Sequence, residues 1–113
     1  MKCSVCNGEL RKNAYGVCQR TRACKLKYME YYNFKKYGIT FEQYHVMLAA
    51  QGGHCAICSA TEGGGRGAFH VDHDHVTGKV RGLLCHYCNT AVGNMKDDPA
   101  LLRAAANYLE ARR

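Results

Sequence analysis

Eight cysteines in a chain of 113 residues restrict its folding more than any other feature. A chain this short buries only a modest core and depends on extra staples. The cysteines fall into two groups of four, Cys3, Cys6, Cys18 and Cys24 at the start and Cys55, Cys58, Cys85 and Cys88 in the second half. Disulfides need an oxidising compartment, and the opening residues MKCSVCNGELRKN hold no apolar stretch that would serve as a secretory signal. No transmembrane run follows, so the expected location is the cytoplasm, where paired cysteines are metal ligands more often than bridges. A CxxC pair turns tightly enough for both sulfurs to reach one ion, and tetrahedral zinc takes four thiolates. "CAIC" and "CHYC", with 26 residues between them, therefore predict one structural zinc site. The first group is looser, with five residues between Cys18 and Cys24, and is expected to hold a second zinc.

The formal charge of +7 is unevenly placed. Residues 1–37 hold nine Lys or Arg against Glu9 and Glu30, whereas residues 38–113 balance seven against seven. Two filled tetrathiolate sites would lower the total to about +3, yet the first third stays basic. A localised basic field points to a polyanion, and nothing in the chain resembles a lipid-binding helix with a clean apolar face. Arg20, Arg22, Lys25, Lys27, Lys35 and Lys36 are accordingly expected to meet nucleic acid, with Lys79 and Arg81 farther along.

Between the cysteine groups, "KLKYMEYYNFKKYGITFEQYHVMLAAQGG" reads as two helices broken at Gly38. Thr40 and Gln43 form a capping box, Ile39 and Tyr44 occupy staple positions, and Phe41, Tyr44, Met47 and Leu48 keep helical spacing up to Gly52 and Gly53. Tyr28, Tyr31, Tyr32, Phe34 and Tyr37 alternate with lysines, and at this spacing most are expected to pack rather than stack on bases. Near the end, Asp98 is an N-cap and Pro99 the first helical residue. Leu101, Leu102, Ala105, Tyr108 and Leu109 then form an apolar stripe expected to cover the core or a second copy of the chain.

The segment "HVDHDHVTGKVRGLLCHYCN", residues 70–89, crowds three histidines and two acids into six positions. Phe69 to His75 reads as a short strand, 76–79 as a turn containing Gly78, and Val80 to Leu84 as the returning strand. From Cys85 a knuckle feeds a helix that ends near Gly93. Simple alternation would send His70, Asp72 and Asp74 to one face and Val71, His73 and His75 to the other, unless a bulge or strand end intervenes. Neither face is an ordinary core face, so the strand is built to present polar groups.

In order and at fitting intervals, "YGIT", "QGGHCAIC", "VDHDH", "GKVRGLLCHYCN" and the trailing Leu-rich helix resemble the HNH, or His-Me finger, nucleases, and among them the phage recombination endonuclease VII family. The resemblance covers about Tyr37 to Leu109. It implies a small, zinc-stapled α+β fold with a ββα-metal core and flanking helices over residues 38–113, preceded by a basic zinc-ribbon-like segment and helix over 1–37. The implied activity is metal-dependent DNA cleavage, by nicking or double-strand cutting. Family members resolve branched DNA as dimers, which makes a homodimer a candidate assembly. By resemblance, Asp72 and Asn89 would hold Mg²⁺ or Mn²⁺ and His73 would be the general base. His75 would contact the phosphate or donate a proton. One carboxylate and one amide oxygen suit a hard cation that keeps several waters, and imidazole suits proton abstraction at neutral pH. The implied setting is a bacterial or phage-infected cytosol.

Two other assignments compete. Asp74 is expected to orient a histidine, while His45, His54 and His86 are expected to be surface or packing residues and His70 has no assigned task. In one competing assignment the segment forms a non-catalytic transition-metal site of His and Asp, and in the other the whole chain is a zinc-ribbon DNA-binding module with a vestigial nuclease centre. The intact set of Asp72, His73 and Asn89 argues against both, since a binding module needs no base beside a hard-metal site.

Overall fold

The computed structural model describes residues 1–9, 16–17, 21–64 and 68–113, with the side chain of Arg22 left out. Cys18 and Arg20 lie outside the described residues. The elements run α1 (Arg22–Tyr37), α2 (Phe41–Ala50), β1 (His70–His73), β2 (Val80–Leu84), α3 (His86–Asn94) and α4 (Pro99–Ala111). The architecture is small α+β.

Local chemistry sets the helix ends. Thr21 Oγ1 accepts the Cys24 N–H at 3.1 Å to start α1, and Gly38 ends it on a left-handed backbone, φ 69°, donating to Phe34 O. Thr40 and Gln43 form the predicted box reciprocally, Thr40 N to Gln43 Oε1 at 2.8 Å and Gln43 N to Thr40 Oγ1 at 3.1 Å. At the far end, Asp98 Oδ1 accepts the Ala100 N–H and Pro99 occupies the first turn of α4.

The hairpin is antiparallel, with His70 opposite Leu84, Val71 opposite Leu83 and Asp72 opposite Gly82. The register then slips, so that His73 faces Val80 and Arg81 is left as the extra residue of a bulge. The strand ends at His73, short of the predicted His75, because Asp74 turns the chain. Its Oδ1 accepts the N–H groups of Val76 and Thr77 at 2.8 and 2.9 Å, and its carbonyl accepts that of Gly78. Asp74 is thus engaged in the turn rather than in orienting a histidine. These two N–H donors hold its carboxyl below the usual aspartate range.

Val71, Leu83, Leu84, Phe69, Cys55 and Cys85 form the buried core, flanked by Tyr37, Ile39, Tyr44, Met47 and Leu48 from the first two helices and the turn between them. Tyr44 Oη accepts the Phe69 N–H at 3.0 Å, and burial pushes its phenol pKa up. Gln51, just past α2, satisfies the open edge of β2: its Oε1 accepts the Leu83 N–H at 2.9 Å while its Nε2 donates to Leu83 O at 3.0 Å and His54 O at 2.9 Å. A side-chain amide here substitutes for a third strand.

Two expectations about packing change in part. Tyr37 packs on the main core and Tyr28 on a second small core of Cys3, Val17 and Cys24, but Tyr31 and Phe34 are exposed. No residue of α4 is buried, and Leu101, Leu102, Tyr108 and Leu109 all face solvent, so this helix does not cover the core.

Candidate functional site

The cysteine knuckles brace the site. Cys55 N donates to Ala60 O, Ser59 N to Cys55 O, and Ile57 N to Cys55 Sγ at 3.4 Å. The N-terminal knuckle repeats this pattern, with Cys3 N to Gly8 O, Asn7 N to Cys3 O, and Val5 N to Cys3 Sγ at 3.4 Å. Ser59 and Asn7 both take left-handed backbone, φ 63° and 58°. The sulfurs of Cys55, Cys58, Cys85 and Cys88 lie within 4.8 Å of one another, as do those of Cys3, Cys6 and Cys24. Tetrahedral zinc with Zn–S near 2.3 Å requires sulfurs about 3.8 Å apart. The Cys58–Cys85 and Cys3–Cys24 separations are 3.6 and 3.8 Å, too long for disulfides and right for shared ligation. Both clusters can hold zinc.

Burial opposes ionisation of Cys55, but N–H groups of Cys58, Cys85 and Ile57 outweigh it and lower the thiol to about 6. Burial pushes Cys88 the other way, as do its neighbouring sulfurs. Cys85 also caps α3, accepting the Cys88 N–H at 3.4 Å, so the four-cysteine cluster ties α3 directly to the end of β2.

That tie brings α3 beside β1. Asp72 and His73 from β1, His75 from the turn and Asn89 from the first turns of α3 line one cavity of about 310 Å³. Met29, Tyr32, Asn33 and Tyr37 of α1 line it too. The His73 ring stacks on His75, and the Tyr37 ring lies 5.0 Å from it. The four residues predicted from the resemblance are therefore together.

The chain belongs to the recombination endonuclease VII family. The model for that family, described as recombination endonuclease VII, matches residues 30–111, from the middle of α1 to the end of α4. The chain is similar to the gene 59 proteins of Mycobacterium phages D29 and L5, at 47% and 43% identity over 74 residues. Each match takes in 65% of this chain and 44% of the relative, so the chain spans less than half the length of these curated relatives. No solved structure matches it.

Within this endonuclease VII family member, Arg81 is placed differently from a free phosphate contact. Its Nε donates to Asp72 Oδ2 at 2.8 Å and its Nη2 to Asp72 Oδ1 at 2.9 Å, a bidentate pair made possible by the bulge. Hydrogen bonding to Asp72 raises the guanidinium pKa still further. Nη2 also lies 3.5 Å from Asp97 Oδ2, which is 3.6 Å from His75 Nε2. Asp97 was not legible as a site residue: it follows α3 in the turn "KDD", and its left-handed backbone, φ 54° after Lys96 at 58°, carries it to the cavity. Left-handed backbone costs a residue such as Lys96 roughly 1–2 kcal/mol, whereas aspartate adopts it readily.

Among the predicted basic contacts on α1, Lys27 pairs with Glu30 at 3.3 Å and lies over the Tyr31 ring, while Lys36 donates to Tyr32 Oη at 2.9 Å. Lys25 and Lys35 share this helix, and Lys79 is exposed beside the turn. His45 packs edge-on against Phe41 and Tyr44, and His54 Nδ1 is 2.8 Å from Cys55 O, as structural histidines would be. His86 and His70 lie with ring centroids 5.6 Å apart. Among the described residues no helix is long and apolar enough to cross a membrane.

Proposed function

We propose that the chain is a metal-dependent DNA endonuclease of the HNH, or His-Me finger, type, in which β1, β2 and α3 form the ββα-metal core. The observation that carries this reading is the convergence of Asp72, His73 and Asn89 on one cavity in a member of an endonuclease family. Asp72 and Asn89 are the proposed ligands of Mg²⁺ or Mn²⁺. Both line the same cavity and offer hard oxygen donors, one carboxylate and one amide, which is the donor chemistry a hard cation takes. Bound there, the ion would supply positive charge to the scissile phosphate and the departing 3′ oxygen.

His73 takes the proton of the attacking water in this scheme, and His75, exposed at the cavity mouth, contacts the phosphate or returns a proton to the leaving oxygen. Arg20, Arg22, Lys25, Lys27, Lys35, Lys36 and Lys79 are proposed to hold flanking phosphates, which positions the duplex without reading its sequence. Family membership favours branched DNA as substrate, and a dimer that grips two arms would fit the exposed apolar stripe of α4. The proposed setting is the cytoplasm of a phage-infected host.

A second reading has one observation in its favour. Arg81 neutralises both oxygens of Asp72, as it would in a DNA-binding module whose nuclease centre is vestigial. Nicking of supercoiled plasmid with Mg²⁺ or Mn²⁺, abolished by EDTA and by His73→Ala, is expected for the enzyme. Binding without any metal-dependent nicking would establish the module instead. Comparison of a four-way junction with linear duplex in the same assay tests the substrate.

A further inference from the structure

Arg81 holds the carboxylate that a cation at Asp72 would take. Its fork occupies both carboxylate oxygens of Asp72, and a guanidinium and a divalent ion repel each other at such range. Next to it, Asp97 is the reverse case. Its Oδ2 receives only a long contact from Arg81, at 3.5 Å, and one from His75, at 3.6 Å, while its buried Oδ1 has no hydrogen-bond partner among the described residues. Buried carboxylate oxygens are seldom left in that state without a task. One guanidinium thus lies between a saturated acid and an unsaturated one.

We infer that Asp97 is a positioning residue that receives Arg81 when a divalent cation takes the carboxylate of Asp72. The inference rests on the reading of Asp72 as a cation ligand. Moving the fork from Asp72 to Asp97 exchanges one bidentate ion pair for another, satisfies the idle Oδ1, and keeps a positive group at the cavity, where it can face a DNA phosphate. Without Asp97, Arg81 would have either to stay on Asp72 and compete with the cation or to leave unpaired. Asp97 therefore sets cation affinity through Arg81 and not by touching the ion.

The test is a double-mutant cycle on Mn²⁺ binding by the zinc-loaded full chain without DNA, with free Mn²⁺ measured by electron paramagnetic resonance. Asp97→Asn should weaken binding by roughly 3- to 30-fold, and Arg81→Gln should tighten it by removing the competitor. In the Arg81→Gln background, adding Asp97→Asn should change nothing beyond twofold. Asparagine tolerates the left-handed backbone at this position, so the variant should fold. Should it not, Arg81→Gln alone decides, because Mn²⁺ binding equal to or weaker than wild type overturns the inference. Equal weakening by Asp97→Asn with and without Arg81, or none in either, also overturns it. Asp72→Ala separates the two levels. If it abolishes Mn²⁺ binding while Asp97→Asn is silent, only the inference fails; if it leaves Mn²⁺ binding intact, the cation site itself is wrong.

Discussion

The imidazole of His73 lies flat on that of His75, ring centroids 4.8 Å apart and planes 5° from parallel, so the proposed base is held by ring packing. Removing it should leave the zinc cluster, Asp72 and Asn89 in place. His73→Ala is therefore expected to keep its fold, DNA affinity and Mg²⁺ response while the nicking plateau falls by ~10²–10⁴-fold, the usual worth of a general base. Asp72→Ala should instead move the Mg²⁺ midpoint or abolish the response. Near-wild-type cleavage by His73→Ala would overturn the mechanism.

The two acids of the strand segment should separate cleanly. Asp74 closes the hairpin turn through its own backbone donors, and asparagine can accept the same N–H groups. Asp74→Asn is expected to cleave DNA within a fewfold of wild type, whereas Asp72→Asn should be severely impaired. Because the folded pKa of Asp74 is depressed below its ordinary 3.8, its contribution is complete above that value and is lost as pH falls through the lower folded pKa. Thermal melts of wild type and Asp74→Asn should accordingly differ by the same amount from neutral pH down to about 5, and converge only in strong acid.

Metal content tests the knuckles. Purified protein should carry two zinc ions per chain, and Cys85→Ser should be insoluble or unfolded, since Cys85 is at once core residue, cap of α3 and proposed zinc ligand. A soluble, cooperatively melting Cys85→Ser protein with its zinc undiminished would remove the assignment.

Gln51 gives a stability test away from the chemistry. Its amide is the side-chain partner of both the N–H and the carbonyl of Leu83, and the carbonyl also accepts the Ala56 N–H at 3.2 Å. Gln51→Ala should cost roughly 1–3 kcal/mol in denaturant unfolding, because the Leu83 N–H loses its acceptor while the carbonyl keeps Ala56. An unchanged midpoint would mean that water replaces the amide without penalty.

Charge on α1 should act on affinity alone. Replacing Lys25, Lys27, Lys35 and Lys36 together by glutamine is expected to weaken binding to all DNA sequences and to flatten the dependence of log Kd on log salt. The rate at saturating DNA should hold. Unaltered affinity and slope would make the helix a structural element only.

The features legible in the sequence are those settled by near neighbours in the chain. Thr40 with Gln43, Gly38, Asp98 with Pro99, and the CxxC knuckles act over a few residues, so these helix ends and the cluster of Cys55, Cys58, Cys85 and Cys88 match their reading, as do Cys3, Cys6 and Cys24 of the first group. The resemblance also picked out Asp72, His73, His75 and Asn89, which the fold gathers on one cavity. Strand pairing decided the rest. Simple alternation could not anticipate the slip at Arg81, because a bulge is a property of two strands and not of one. That slip gives Arg81 to Asp72, and the close of α3 brings Asp97 to the same guanidinium, pairings between residues distant in sequence that no local pattern encodes. The apolar stripe of α4 likewise specified an amphipathic helix, but whether such a face meets the core depends on the path of the preceding turn, and here that path leaves it in solvent.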